Sequence, residues 1–135
     1  MADRHAIAEL LAAYGAANDQ RDVAQIGDCF TDEGAFTLHI AGGDTIGPLE
    51  PREQVLAFFG AAFGAQSDQR RHVVTNIRLL ASDDDRARVE AYLTLIVTDA
   101  GTTELKSAGR YDAEVVHDGT HWRFRAMMLF LDSPF

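Results

Sequence analysis

From Arg70 onward the chain carries almost nothing but strand signal, in four runs too long to lie flat. "RRHVVTNIRLLAS" (70–82), "RARVEAYLTLIVT" (86–98), "TTELKSAGRYDAEVVH" (102–117) and "HWRFRAMMLFLD" (121–132) follow one another across tight turns. The second run alternates over Val89, Ala91, Leu93, Leu95 and Val97, the period of a strand with one apolar face. "DDD" at 83–85 and the Asp118-Gly119 pair supply turns. Long strands that carry helices on one face twist and curl. A curved sheet wrapped around a helix leaves a hollow, and hollows are where small ligands bind.

Three helical segments precede these strands. Ile7, Leu10, Leu11 and Tyr14 mark one amphipathic face, with Asp3 as N-cap. "DVAQIGDCF" (22–30) reads as a short second helix capped by Asp22, with Gln25 at the capping-box position and Val23, Ile26 and Phe30 on one face. "GAFTLHIA" (34–41) alternates as a strand, Phe36, Leu38 and Ile40 on one side, Thr37 and His39 on the other. "GGDTIGPLE" (42–50) reads as a loop. Pro51 then suits the first turn of a third helix built around Val55, Phe58, Phe59 and Phe63. Helices grouped ahead of a mostly antiparallel sheet define an α+β domain. At 135 residues, 1–135 form a single domain.

A formal net charge of −9 argues against nucleic acid or an anionic membrane as partner, since both need a basic face. The lone Cys29 excludes an internal disulfide and a cysteine-based zinc site, and His117 and His121 flank a turn in solvent. No metal and no cofactor are expected. "AIAELLAAYGAA" is broken by Glu9, Tyr14 and Gly15 and is too short for a membrane span, so the expected setting is cytoplasmic.

The polar residues placed in apolar elements are the candidate site. His72 opens a strand that also holds Thr75 and Asn76. By strand parity His72, Val74 and Asn76 share one side. Either His72 is an ordinary edge residue beside Arg70 and Arg71, or this strand walls a cavity. His39 is a candidate second histidine there, and Phe59, Phe63 and Met127 are candidates for its apolar wall or for plain core. Tyr14 lies on the helical stripe one turn from Asn18, and converges with Asp19 only if the helix opens at its end.

"ELLAAYGAANDQRDVAQIGDCFTDEGAF", "RRHVVTNIRL" and "GRYDAEVVHDGTHWRFRA" together resemble the SnoaL-like branch of the NTF2-like superfamily, over about Ile7 to Arg125. His-x-x-Thr-Asn, here His72, Thr75 and Asn76, is the most specific piece, and Tyr-x4-Asp, here Tyr14 and Asp19, adds to it. The resemblance implies a cone-shaped α+β barrel in which three N-terminal helices pack on a strongly curved sheet. It implies a His72–Asp19 dyad assisted by Tyr14; strand parity and the apolar wall add Asn76, Val74, Phe59, Phe63, Met127 and His39 as candidate substrate contacts. Several catalytic relatives carry an arginine five residues after the tryptophan of the last strand; this chain has Met127. The implied function is a cofactor-independent lyase or isomerase acting on a small apolar molecule. The alternative is a binding or accessory domain without turnover. A steroid-isomerase mechanism fits less well, because Leu38 and His39 stand where it wants a carboxylate. If the helices leave part of the Val89–Val97 row uncovered, it forms an apolar patch suited to self-association, and a homodimer is expected.

Overall fold

The computed structural model describes residues 2–135. Its elements are α1 (Arg4–Gln20), α2 (Val23–Cys29), β1 (Phe30–Ile40), β2 (Thr45–Leu49), α3 (Arg52–Gly64), β3 (Gln69–Ser82), β4 (Arg86–Asp99), β5 (Thr102–His117) and β6 (Trp122–Leu131). The six strands form one sheet in the order β2-β1-β6-β5-β4-β3. All neighbours are antiparallel except β1 and β6, which run parallel. The sheet curves strongly but stays open, with β2 and β3 as its edges.

Both expected caps form. The Asp3 carboxylate accepts from the Ala6 N–H at 3.0 Å, and the Asp22 carboxylate from the Gln25 N–H at 3.1 Å. The Gln25 side chain does not complete a capping box; it donates instead to the Ala13 carbonyl at 3.4 Å and ties α2 to α1.

Three expectations are corrected. Residues 45–49 are not loop, because Thr45 and Ile46 pair with His39 and Leu38 across a tight turn. Gly47 and Pro48 are tolerated there because β2 is an edge strand that needs hydrogen bonds on one side only. Phe30 begins β1 rather than ending α2: its backbone is extended, though its ring stays in the core. The row Val89, Ala91, Leu93, Leu95 and Val97 is buried throughout, so it offers no surface for self-association. It is the concave face of the sheet, and the helices cover it.

Curvature comes from bulges, which bend a strand and increase its twist. Extra residues interrupt the ladder between Thr75 and Arg78 and at Leu80 on β3, at Lys106 on β5 opposite Leu95/Ile96, and at Arg125 on β6 opposite Glu114/Val115. At Gly109 the bend draws β5 onto β6 so closely that a Cβ would stand 2.3 Å from the Phe130 carbonyl oxygen. A side chain there displaces backbone, not a flexible neighbour. Cys29 lies in the core, where burial first and the Asp28 charge second push its thiol up to about 11.

Gly109→Ala is expected to cost about 1–3 kcal/mol, read as a lower denaturant midpoint with unchanged m-value. Cys29 is expected to resist iodoacetamide at neutral pH in the native protein and to react fully once denaturant is added; equal rates in both conditions would contradict the burial argument.

Candidate active site

Between the concave sheet and the helices lies a cavity of about 230 Å³. Phe58, Phe59 and Phe63 of α3 and Phe36 and Leu38 of β1 form one wall, and Leu93, Leu95, Leu129 and Leu131 form the floor. Rings of Phe36, Phe58, Phe59 and Phe63 lock one another at centroid separations of 5.1 to 5.8 Å, which holds the wall in one shape. Into this greasy space project a few polar groups: Tyr14 and Asn18 from α1, His72 from β3, Tyr111 from β5, and Gln66 and Arg70 near the mouth.

His72 reaches the cavity because α1 lies close on β3. Gly15 faces the His72 backbone, and a Cβ built on it would stand 3.4 Å from the His72 carbonyl oxygen. That approach brings Asp19, one turn further along α1, onto the histidine. A single oxygen, Asp19 Oδ1, accepts both the His72 backbone N–H at 2.9 Å and the ring Nδ1–H at 2.7 Å. The two side chains are only 12% and 14% exposed. Donation from Nδ1 fixes the tautomer, so Nε2 carries the free lone pair. Nε2 has no partner among the described residues, and the ring borders the cavity.

Helix α1 stays intact to Gln20, with Arg21 as a left-handed C-cap, so Tyr14 and Asp19 do not converge by fraying. Instead Tyr14 and Asn18 face the cavity and Asp19 meets His72 from the helix side, bordering a shallow groove between α1 and β3. Tyr14 is fully enclosed, edge-on to Phe30, Phe59, Tyr111 and Phe124. Burial holds its phenol well above the ordinary value, Tyr111 adds to this, and Asn18 works against it. At neutral pH it is a donor.

Phe59 and Phe63 lie in the wall as expected; four other candidates do not. Asn76 sits at the β3 bulge with φ 55, which rotates it into solvent and gives its inward place to Ile77. Val74 faces inward, but toward α1, and borders the shallow groove instead of the cavity. Met127 is 1% exposed and sealed in the core among the inner residues of β6 and its neighbours. His39 lies on the outer face of the sheet, stacked on Phe130 at 4.7 Å with Nδ1 3.2 Å from the Thr45 hydroxyl. Tyr111, Gln66 and Arg70 were not anticipated. For Tyr111 the available signal was its inward parity with Ala113 and Val115 on a strand facing the hollow.

Among the described residues no group of three or more histidine, cysteine or acidic side chains is placed to hold a metal ion, and no helix is long and apolar enough to cross a membrane. No curated protein sequence matches the chain. Solved structures resemble it closely in shape. A protein assigned as the beta subunit of an aromatic-ring-hydroxylating dioxygenase from Novosphingobium aromaticivorans superposes with a TM-score of 0.84 at 19% identity, over 98% of this chain and 90% of that one. LinA superposes at 0.77 with 19% identity, over 98% and 88%. A protein assigned as a scytalone dehydratase from Novosphingobium aromaticivorans superposes at 0.73 with 17% identity, over 94% and 82%. At such identities these likenesses speak for the fold. The sequence profile described as the SnoaL-like domain matches residues 1–128, so the chain belongs to the SnoaL-like domain family and has its NTF2-like fold.

Proposed function

We propose that this protein is a cofactor-independent lyase or isomerase that removes a proton beside a carbonyl or similar activating group of a small, mostly apolar molecule held in the cavity. The observation that carries this reading is the shared Asp19 oxygen, which commits Nδ1 of His72 and leaves Nε2 without a described partner on a ring that borders the cavity. Nε2 takes the proton. The imidazolium that results keeps its Nδ1–H on Asp19, whose negative charge stabilises it. Asp19 acts through the ring without touching substrate. Tyr14, protonated and enclosed, donates to a polar group of the substrate, and the phenylalanine wall orients the remainder. A positioned base of this kind contributes about 10²–10⁴-fold in rate. Return of the proton to a different carbon completes an isomerisation, and loss of water completes a dehydration.

The wall chemistry and the charge of −9 both disfavour an anionic substrate. LinA and the protein assigned as a scytalone dehydratase, two of the structural neighbours, lend the elimination reading support by fold. A second reading, a binding or accessory domain, draws on the likeness to a dioxygenase beta subunit and on the methionine at position 127.

The two readings separate on His72. In deuterated buffer, exchange of the α-hydrogens of small cyclic ketones, followed by proton NMR, is expected to exceed the buffer rate and to fall by about 10²–10⁴-fold in His72→Ala. Ligand affinity unchanged with no exchange above buffer in either protein selects the accessory reading. Asp19→Ala leaves two part-buried N–H groups of His72 without their acceptor. Its expected cost is about 1–3 kcal/mol in denaturant unfolding, together with loss of exchange activity.

A further inference from the structure

Tyr111 is a proton-bearing polar group of the cavity that the dyad leaves unused. It lies on the inner face of β5, opposite Ala91 of β4 and Leu129 of β6, and is 1% exposed. Its ring meets Tyr14 edge-on with centroids 6.0 Å apart, and both rings border the cavity alongside His72. Its hydroxyl hydrogen-bonds no described residue. Buried phenols ordinarily find a partner, and an unpaired one destabilises the fold that contains it. The sealed side-chain oxygens without a partner among the described residues are Thr31 Oγ1 and Gln66 Oε1; the Tyr111 hydroxyl is not one of them, so it opens on the cavity, where water or a bound ligand accepts from it.

The cavity's cation is already engaged. Arg70 donates from Nε to Asp68 at 3.0 Å, and its guanidinium lies over the Phe135 ring, 5.2 Å from the centroid. Position 127 holds a methionine, and that side chain is in the core. Negative charge arising on a ligand beside His72 therefore meets neutral phenols, not an unpaired cation. A phenol stabilises charge that stays on an oxygen within reach of its O–H; it does little for a departing halide. Burial, with the Asp19 charge adding to it, holds the Tyr111 phenol above its ordinary value, so it keeps its proton.

Resting on the proton-abstraction reading above, we propose that Tyr111 is a catalytic hydrogen-bond donor to the substrate's carbonyl oxygen, and that the substrate is a neutral ketone or aldehyde passing through an enolate. His72 Nε2 takes the α-hydrogen as a proton. The C–H electron pair becomes the new C=C, and the carbonyl π pair moves onto oxygen, where the Tyr111 O–H meets it. Collapse of the enolate restores the carbonyl. As it does so, the proton on His72 goes to the γ-carbon of a β,γ-unsaturated substrate, whose C=C moves into conjugation, or to a β-hydroxyl that leaves as water while a C=C forms. Either way the protein returns to its starting protonation. At the enolate stage the imidazolium is balanced by Asp19 and the oxyanion is held by a donor fixed beforehand, the arrangement in which such donors contribute most.

The test uses 4-nitrophenol, a planar oxyanion mimic whose phenolate absorbs visible light. On binding, its proton passes to His72 and its oxygen takes the place of the enolate oxygen. Wild-type protein is expected to bind it as phenolate at a pH where the free compound is mostly protonated. Tyr111→Phe is expected to weaken binding at least about tenfold, converting by RT ln 10 to roughly 1.4 kcal/mol, and to leave the affinity for 4-nitroanisole unchanged. Because the variant loses no hydrogen bond to protein, its thermal midpoint should not fall. Across 4-substituted phenols, affinity referred to the phenolate form should rise more steeply with phenolate basicity in wild type than in Tyr111→Phe. Binding of 4-nitrophenol within twofold of wild type by the folded variant overturns the proposal, as does wild-type protein that never binds the phenolate form. His72→Ala separates the two claims. Loss of ketone exchange in His72→Ala, with 4-nitrophenol bound equally by Tyr111→Phe and wild type, removes the donor role and keeps the base. Exchange that survives in His72→Ala removes the base reading itself.

Discussion

The structure turns on how closely α1 can lie against β3. Where the two cross, Gly15 faces the backbone of His72, and a Cβ there would already touch it at 3.4 Å, which leaves no room for a longer side chain directed at the strand. The approach lets Asp19, at the far end of the same helix, accept a ring N–H and a backbone N–H through one oxygen. The same approach places Tyr14 and Asn18 over the concave face. Helix placement, histidine tautomer and cavity wall therefore follow from one contact. A histidine whose backbone and ring are both held by one carboxylate has little freedom to turn its Nε2 away, so the base is oriented before any ligand arrives.

Much of this was legible in the sequence, and the exceptions share a physical cause. Period-2 alternation identified the four long strands, and a turn-capping aspartate each identified the starts of α1 and α2. What failed were inferences that count positions along a strand as though its ladder were unbroken. Asn76 has the parity of His72 by number, yet a bulge after Thr75 turns it outward. An asparagine in the middle of a β-branched run is itself a sign of that bulge, because asparagine tolerates positive φ better than its neighbours. His39 was read correctly as lying opposite Phe36 and Leu38; it is the apolar side of β1, not the polar one, that faces the hollow. Gly47 and Pro48 disguised β2, since residues that break a central strand are harmless on an edge. Tyr111 escaped notice because inward parity alone cannot distinguish a core ring from a cavity ring. That distinction depends on where α3 ends and the space begins.

Polar groups are treated in opposite ways on the two faces of the sheet. Outside, charges are matched to one another: Arg88 grips Asp112 through two bonds of 3.1 and 2.8 Å, Arg78 pairs with Glu90, and Arg110 lies over the Phe130 ring near Glu90 and Asp112. Pairs of this kind at a solvent-facing surface add little stability, but they leave Glu90 and Asp112 with cationic partners. Inside, the Tyr111 hydroxyl and His72 Nε2 lack protein partners among the described residues, and Gln66 Oε1, on the same cavity, is sealed from solvent without one. A chain selected for stability alone would have a phenylalanine at 111, which fills the same space without an unmet donor. The asymmetry therefore reads as a division of labour: the convex face is finished by folding, and the concave face is finished only when a molecule with an oxygen of its own occupies it.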